Sequence, residues 1–479
     1  MYQKHLILTI LIFTTLFACQ PASEESSETE QPALPNIVFI LADDMGYGDP
    51  ASYNPESKIP TPHIDQIAQN GVKFTDAHSP GPWCVPSRYG LITGQYPYRT
   101  QLNWRERALI DPDQQTIAEL LKENGYHTGM VGKWHLGFDN IDWSNIPADQ
   151  EFRGGPIDQG FDEFFGIHAS LDIPPYFYIE GDRAVAPPSD TVADNQSEDA
   201  TTSISGAFWR GGDMAPGFSH EEVLPKFTDR AISFIESHHA QDATQPFFLY
   251  LALTAPHTPW VPTEEFVGTT SVGEYGDFTK QVDHTVGQIA NTLESLGYTE
   301  NTLFIFTSDN GPVWFAEDVE KFDHRSTASL RGMKIDHWEG GHRIPFVAQW
   351  PGKIPAGTER DDLMGFTDMY ATLAAIVGDS SSLVGKDSYN MLPAFQNEAT
   401  EPIRPEMIIG ENVVRQGNWK FIRDGGGGGL GRSYGYQGQE AAPEVDELYN
   451  LAEDLSETNN LAEEQAEKAE ELKALLPEK

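Results

Sequence analysis

Short apolar runs recur along the chain, separated by segments with helical spacing. Uninterrupted runs of this length are typical of strands buried on both faces of a parallel sheet. The predicted strands are 36–42, 126–131, 246–253, 302–307 and 345–350. The predicted helices are 64–68, 115–122, 221–236, one that ends near Gly297, and 366–377, which stops at Gly378. Strands that alternate with helices predict the α/β class, with a mostly parallel central sheet sandwiched by helices.

The pattern changes beyond about residue 385. Short runs at 407–414 and 419–422 are typical of antiparallel strands, and residues 425–429 are consecutive glycines that predict a loop. Near the C-terminus, apolar positions on one face predict a last helix: Leu472, Leu475 and Leu476. We therefore expect a small C-terminal α+β subdomain over residues 385–479.

The main domain is expected to span residues 35–384. Within it, residues 139–220 are rich in Pro, Gly and aromatic residues and show no regular period. Segments of this length without regular structure in a compact domain are usually functional.

The first residues have the features of an export signal followed by a tether. Lys4 and His5 precede the apolar run 6–17, which is too short to span a bilayer. The next stretch, Leu16-Phe17-Ala18-Cys19, resembles a bacterial lipobox and implies a lipoprotein signal peptide over 1–18 with a lipid such as palmitate on Cys19. Residues 19–34 are acidic and of low complexity, which predicts a flexible tether. We expect an exported bacterial lipoprotein, membrane-anchored and periplasmic or on the cell surface; the alternative is an ordinary signal peptide that ends near a cysteine.

The chain is strongly acidic. It has 31 basic and 73 acidic residues, a formal net charge of −42. Such a field opposes nucleic acid and anionic membrane surfaces, so we expect no nucleic-acid partner. The composition is also typical of proteins suited to salty water. An anionic substrate would need a positive pocket built locally.

Polar residues follow four of the predicted strands. In parallel sheets the ligand lies beyond the carboxyl ends of the strands, so these residues predict one composite site. The oxygen donors among them suit Ca²⁺, or with less support Mg²⁺: Asp43, Asp44, Asp309 and Asn310. Cations and proton donors for the same site are Arg88, Lys133, His135, His257 and Lys334.

One eleven-residue stretch carries a family resemblance. Cys84-Val85-Pro86-Ser87-Arg88-Tyr89-Gly90-Leu91-Ile92-Thr93-Gly94 matches the complete C-x-P-S-R-x-x-L-x-T-G signature of type I sulfatases. The resemblance extends from Pro35 to about Glu464 and includes residues 448–461, which look like the C-terminal signature of the family. It implies the alkaline-phosphatase-like α/β fold, with residues 35–384 as the catalytic domain.

The resemblance also implies a role for each site residue. Cys84 is converted after synthesis to formylglycine (3-oxoalanine) by a formylglycine-generating or anaerobic sulfatase-maturating enzyme. Ca²⁺ is bound by residue 84 together with the four oxygen donors Asp43, Asp44, Asp309 and Asn310. Arg88 holds the hydrated nucleophile and His135 assists one of its hydroxyls. Lys133 and Lys334 bind sulfate oxygens, and His257 protonates the leaving oxygen.

In the family mechanism, one hydroxyl of the hydrated aldehyde attacks sulfur in line and the alcohol departs. The second hydroxyl then expels sulfate by reforming the aldehyde. A sulfate ester on an ordinary serine would need water to break it, whereas a gem-diol contains its own exit route.

The substrate is less clearly indicated than the chemistry. Residues 168–176 resemble carbohydrate sulfatases related to hexosamine 6-sulfatases, which favours a sulfated sugar over an aryl sulfate. Candidates for the sugar pocket are Arg210 and Arg343, and beside them Trp209, His324, Arg325 and His337. The acidic composition favours a marine polysaccharide, such as an algal galactan or ulvan. The alternatives are a phosphate or phosphonate ester hydrolase of the same superfamily, an arylsulfatase of broad specificity, and a glycan-binding protein with an inactive site.

Overall fold

The predicted apolar runs form the centre of a ten-stranded sheet in the computed structural model, which describes residues 1, 34–379, 387–430, 440 and 443–478. The predicted signal peptide at 1–18, Cys19 and nearly all of the tether lie outside the described residues, as does the predicted domain boundary at 384/385. In the part of the chain that is described, no helix has the length and apolar character needed to cross a membrane.

The strands of the large sheet lie in the order β13-β2-β12-β11-β1-β10-β4-β5-β6-β7. Their bounds are β1 Asn36–Asp43, β2 Val72–Phe74, β4 His127–Lys133, β5 Glu163–Ile167, β6 Ile179–Glu180, β7 Arg183–Ala184, β10 Phe247–Pro256, β11 Thr302–Ser308, β12 Phe346–Gln349 and β13 Thr358–Arg360. The remaining strands are β3 Ala77–His78, β8 Asp190–Val192, β9 Gly212–Met214, β14 Met364–Gly365, β15 Glu406–Ile409, β16 Val413–Gln416, β17 Trp419–Ile422 and β18 Glu447–Asn450.

The five central strands β11, β1, β10, β4 and β5 are all parallel, which confirms the predicted mostly parallel sheet. β12 instead runs antiparallel to β11, and β6 and β7 extend the other edge as antiparallel additions. Every residue of β1 and β10 is buried, so both faces of the sheet are covered.

Two groups of helices cover the sheet. The first consists of α1 (Pro62–Asn70), α4 (Val223–Asp242) and α5 (Gly273–Ser295), and the second of α2 (Cys84–Thr93), α3 (Ile117–Glu123) and α8 (Asp368–Val377). The shorter described helices are α6 Ala316–Phe322, α7 Glu339–His342 and α9 Leu392–Phe395, and the last is α10 Ala466–Lys473.

The C-terminal part forms a separate antiparallel sheet in the order β15-β16-β17-β18. α10 packs on it through Leu472, and Leu476, just beyond the end of the helix, packs in the same cluster. The antiparallel strands and the terminal helix predicted there are confirmed. The run 407–414, predicted as one segment, is two strands, because Gly410 takes a left-handed φ of 62° and turns the chain between them.

A buried ionic cluster joins this small sheet to the main body of the protein. Lys420 on β17 lies 2.9 Å from a Glu339 carboxylate oxygen and 2.7 Å from one of Glu457. Arg415 on β16 pairs with Asp76 at 2.9 Å. The other members are His78, His342 and Arg343, and burial lowers the pKa of both histidines. Although His78, Glu339 and His342 could in principle hold a metal, lysine and arginine already neutralise the glutamate.

We expect Lys420→Met to lower the free energy of unfolding by about 3–5 kcal/mol, because two buried carboxylates lose their shared ammonium. The matched control is Lys473→Met. Lys473 pairs with Asp446 at 2.6 Å, but the two side chains are 40% and 29% exposed, so its loss should cost less than about 1 kcal/mol. Denaturant unfolding of both variants makes the comparison; equal losses would contradict a stabilising role for the cluster.

Candidate active site

The polar residues predicted at strand ends meet at one edge of the large sheet. β1 ends at Asp43, β4 at Lys133, β10 just before His257 and β11 just before Asp309. The register aligns these ends, since Asp43 lies opposite Pro256 and Ala42 opposite Ser308. Asp44 follows with a left-handed φ of 64°, a strained conformation that turns the chain as it leaves the strand. The structure therefore brings these strand-end residues together in one place, as the sequence predicts.

Cys84 is the first residue of α2 and Arg88 lies one turn later. Residues four apart share a face of a helix, so this spacing places the guanidinium beside the thiol. The whole helix is buried, and Gly90 lets the chain at Pro80 pass so closely that a Cβ there would lie 2.4 Å from the proline ring. Arg88 donates to a carboxylate oxygen of Asp309 at 2.9 Å and to the carbonyl of Lys133 at 2.9 Å.

Three carboxylates and three fixed cations surround the thiol. Lys133 Nζ lies 2.6 Å from Asp43, and Lys334 Nζ lies 2.8 Å from Asp44. The amide of Asn310 donates to Asp44 at 2.6 Å. The carboxylates thus offset Lys133, Lys334 and Arg88, and any bound divalent cation would make the site net positive.

The donor set fits a hard divalent cation. Possible ligand atoms of Asp43, Asp44, Cys84 and His257 all lie within 4.8 Å of one another. Within the described part of the chain, Oδ1 of Asp43 and Oδ1 of Asn310 are buried and accept no hydrogen bond, which is costly unless a ligand satisfies them. Carboxylate and amide oxygens are the ligands that Ca²⁺ and Mg²⁺ prefer.

Charge crowding shifts the pKa values at this site. Burial raises the pKa of Asp309 and the neighbouring Asp43 raises it further, so Arg88 does not restore the usual value. Asp43 is also buried, but Lys133, His257 and Arg88 hold its pKa well below the usual range. Burial would raise the pKa of the Cys84 thiol, yet Lys133 and Lys334 outweigh it and the pKa falls to about 5.

The two histidines of the site differ. Burial and Lys334 would lower the pKa of His257, but Asp44 and Asp43 raise it to about 9. Its Nδ1 is bonded to the carbonyl of Thr258 at 2.5 Å, and its Nε2 lies 3.6 Å from Asp44. Burial, Lys133 and Arg88 hold the pKa of His135 well below its usual value, and neither of its ring nitrogens has a hydrogen-bond partner.

Lys334 comes from a loop, not from a strand end. The loop is fixed on both sides, since Lys334 N donates to the carbonyl of Pro312 at 2.8 Å and Ile335 N to that of Pro82 at 2.7 Å. Ile335 has a φ of 72°, an outlier for a β-branched residue. The strain is held where the loop meets the segment leading to Cys84.

A pocket of about 300 Å³ opens above this arrangement, with Cys84, His135, His257 and Lys334 in its lining. Its remaining walls come from segments that are far apart in the sequence: Trp83, Trp104, Arg105, Ser170, Asp172, Ile173, Ile204, Phe208, Arg210, Thr258, Val313, Ile335 and Leu430. Six of these wall residues come from the segment 139–220, which the sequence predicts to be functional. Composition and motifs gave no signal for Trp104, Arg105 or Leu430.

Of the sugar-pocket candidates, the structure brings only Arg210 to the pocket wall. Arg343 lies 2.9 Å from Glu339 in the buried ionic cluster and is not part of the pocket lining. His324 is buried against Asp49 at 2.9 Å, and Trp209 stacks on His220. Arg325 and His337 are also absent from the pocket lining.

Comparison with known proteins decides the family. The model of the family described as Sulfatase matches residues 35–379, most of the chain. The chain belongs to the sulfatase family. It is therefore a sulfuric ester hydrolase with the sulfatase fold, as the resemblance implied.

Several relatives of this sulfatase have named activities or bound ligands. It is 32% identical to an N-acetylgalactosamine-6-O-sulfatase of Bacteroides thetaiotaomicron, over 95% of each chain. A solved structure described in connection with the metabolism of multiple glycosaminoglycans by the same organism is also similar. Its sequence is 32% identical, the match covers 92% of this chain and 98% of that chain, and the TM-score is 0.79. The structure of i-CgsB in complex with k-i-k-neocarrahexaose is 25% identical, covers 92% and 91%, and has a TM-score of 0.66.

Proposed function

We propose that this sulfatase hydrolyses a sulfate ester on a galactose-configured sugar, with O6 as the first position to test. The observation that carries the proposal is the pocket floor, where Cys84, Lys334 and His257 meet at the edge of the sheet, with the buried Lys133 ammonium close to Cys84. The named activity of the Bacteroides relative and the carrageenan-type ligand of i-CgsB support a galactose-type sugar. An algal galactan fits this class; ulvan remains a prediction from composition.

The chain's own residues provide what sulfuryl transfer needs. Lys334 places an ammonium group at the pocket floor and the buried Lys133 places another close to Cys84, where both offset charge on the sulfate as the ester bond breaks. His257 uses Nδ1 to bond Thr258, which leaves Nε2 as the nitrogen that can protonate the leaving oxygen. His135 has both nitrogens available beside residue 84, and Arg88 orients that residue from one helical turn away.

Two groups complete the proposal. We propose that Cys84 is converted to formylglycine by a maturation enzyme of the producing cell; when formed, this group supplies a hydrated aldehyde as nucleophile. We also propose that Asp43, Asp44, Asp309, Asn310 and residue 84 hold Ca²⁺, which supplies positive charge for the transferring sulfuryl group.

The export assignment is a separate proposal. We propose that the sulfatase is a lipoprotein whose membrane anchor is a lipid on Cys19, supported by the Leu-x-Ala-Cys sequence. We expect Cys19→Ala to move the protein from the membrane fraction to the soluble fraction, because the substitution removes the proposed attachment site of the lipid. Stable anchoring needs two or more acyl chains. Fractionation of cells that produce either form tests this, and membrane retention of the variant would contradict it.

The function is tested by sulfate release from a substrate panel. The panel contains 6-sulfated N-acetylgalactosamine, galactose and N-acetylglucosamine, 4-sulfated N-acetylgalactosamine, carrageenan and ulvan oligosaccharides, 4-nitrophenyl sulfate and a phenyl phosphonate. We expect the highest kcat/KM on a 6-sulfated galactose-configured sugar. Dominant phosphonate turnover would overturn the sulfatase proposal, and dominant aryl sulfate turnover would overturn the sugar.

A further inference from the structure

We infer that Asp172 recognises the sugar by accepting a hydrogen bond from a ring hydroxyl near the sulfated position. The inference rests on the proposed function, and it names the feature that separates a sulfated sugar from an aryl sulfate at this site.

One carboxylate oxygen in the pocket wall is unsatisfied. Asp172 lines the pocket and is only 6% exposed, and among the described residues its Oδ1 has no hydrogen-bond partner. A buried carboxylate oxygen in this state is unfavourable in the free protein. A bound group that donates a hydrogen bond would remove that penalty.

The other contacts of Asp172 fix this oxygen in position. Arg210 forms an ion pair with Oδ2 and also bonds the Asp172 carbonyl from its backbone N–H at 3.3 Å. Tyr176 in turn donates to the Arg210 carbonyl at 2.6 Å. Asp172 is therefore held so that Oδ1 remains the acceptor available to a ligand.

The chemistry of the ligand follows from the charge. A carboxylate repels a sulfate group, so Asp172 does not serve the sulfate itself. It can accept a hydrogen bond from a hydroxyl, which a hexose carries on its ring near the sulfated position and which a simple aryl sulfate lacks. Sites built to bind a substrate hydroxyl strongly reject analogues that lack it.

A role in positioning His257 is the main competing explanation. Oδ1 of Asp172 lies 4.0 Å from Nδ1 of His257, beyond hydrogen-bond distance. That nitrogen is already bonded to the Thr258 carbonyl. The geometry thus favours a contact between Asp172 Oδ1 and a ligand in the pocket over a contact with His257.

The test measures kcat/KM for the wild type, Asp172→Ala and Asp172→Asn on the best sulfated sugar, its monodeoxy analogues and 4-nitrophenyl sulfate. We expect Asp172→Ala to lose about 10- to 100-fold on the sugar and less than about threefold on the aryl sulfate. Asp172→Asn keeps an acceptor oxygen and should lose less. For one monodeoxy analogue, the kcat/KM of the wild type should be lower than on the full sugar by a similar factor. On that analogue, Asp172→Ala should cause no further loss.

The matched control is Asp213→Asn. Asp213 is an exposed residue on β9 whose backbone carbonyl accepts a hydrogen bond from Tyr176 N, and its substitution should leave kcat/KM unchanged on both substrates. Equal losses of Asp172→Ala on sugar and aryl sulfate would overturn the inference, because they would indicate a role in folding or in His257. So would a panel in which no deoxy analogue behaves as described. If the wild type turns over aryl sulfate but neither hydrolyses nor is inhibited by any sulfated sugar, the proposed function fails as well, which distinguishes the two failures.

Discussion

Cys84→Ala is expected to lower kcat for sulfate release by about 10⁴-fold or more, because it removes the residue that becomes the nucleophile. The side chain is buried at the start of α2, between Lys133, Lys334 and His257. Sulfate release from the best substrate of the panel is the measurement.

A folding defect must be separated from the loss of chemistry. Alanine is small and a good helix former, so the melting temperature should change little. The matched control is Ser87→Ala, in the same helix, which removes a hydroxyl bonded to the Asp309 carbonyl but no proposed reacting group. Residual activity of Cys84→Ala close to that of Ser87→Ala would contradict the role of Cys84.

Asp309→Asn is expected to lower kcat/KM by about 10²- to 10³-fold, since it removes a proposed metal ligand and the carboxylate partner of Arg88. A second readout does not depend on turnover. Ca²⁺ that binds the folded state should raise the melting temperature of the wild type, and this shift should be lost in Asp309→Asn.

The control for this prediction is Asp283→Asn. Asp283 is buried on α5 and accepts the N–H groups of His63 and Ile64 at 3.0 and 2.9 Å, away from the pocket. Its response to Ca²⁺ should match that of the wild type. An unchanged Ca²⁺ shift in Asp309→Asn, or full activity after removal of divalent metal with a chelator, would contradict the proposed metal site.

The catalytic centre was predictable because its geometry is local. Asp43, Lys133, His257 and Asp309 each end an apolar run, and parallel strands place such ends side by side. Arg88 stands four residues from Cys84, and helix periodicity alone brings the two together. A sequence pattern with a period of two or 3.6 residues carries this information.

The pocket wall could not be read in the same way. Trp104, Arg105, Phe208 and Leu430 come from distant segments of the chain, and no period in the sequence relates them to Cys84. Arg343 shows the same limit: the sequence offers it as a candidate for the sugar pocket, whereas the structure pairs it with Asp76 and Glu339 in the buried ionic cluster. Asp172 lay in a stretch with a family resemblance, yet only the structure shows that one of its oxygens is unsatisfied.

The strands missed by periodicity include β5, which has five residues and lies inside the sheet between β4 and β6. The others are short or at the edges. β2 and β13 have three residues each, and β6 and β7 have two. Such strands depend on a neighbouring strand more than on their own sequence, because the pairing and packing of the sheet stabilise them.

The central claim is that Cys84 is the precursor of the nucleophile in an active sulfatase. Mass analysis of the tryptic peptide 74–88 from active protein tests it most directly, since conversion to formylglycine replaces one sulfur and two hydrogens with one oxygen. We expect sulfatase activity to rise in proportion to the converted fraction across preparations with different degrees of conversion. Full activity in protein whose peptide carries only the unmodified thiol would contradict the account.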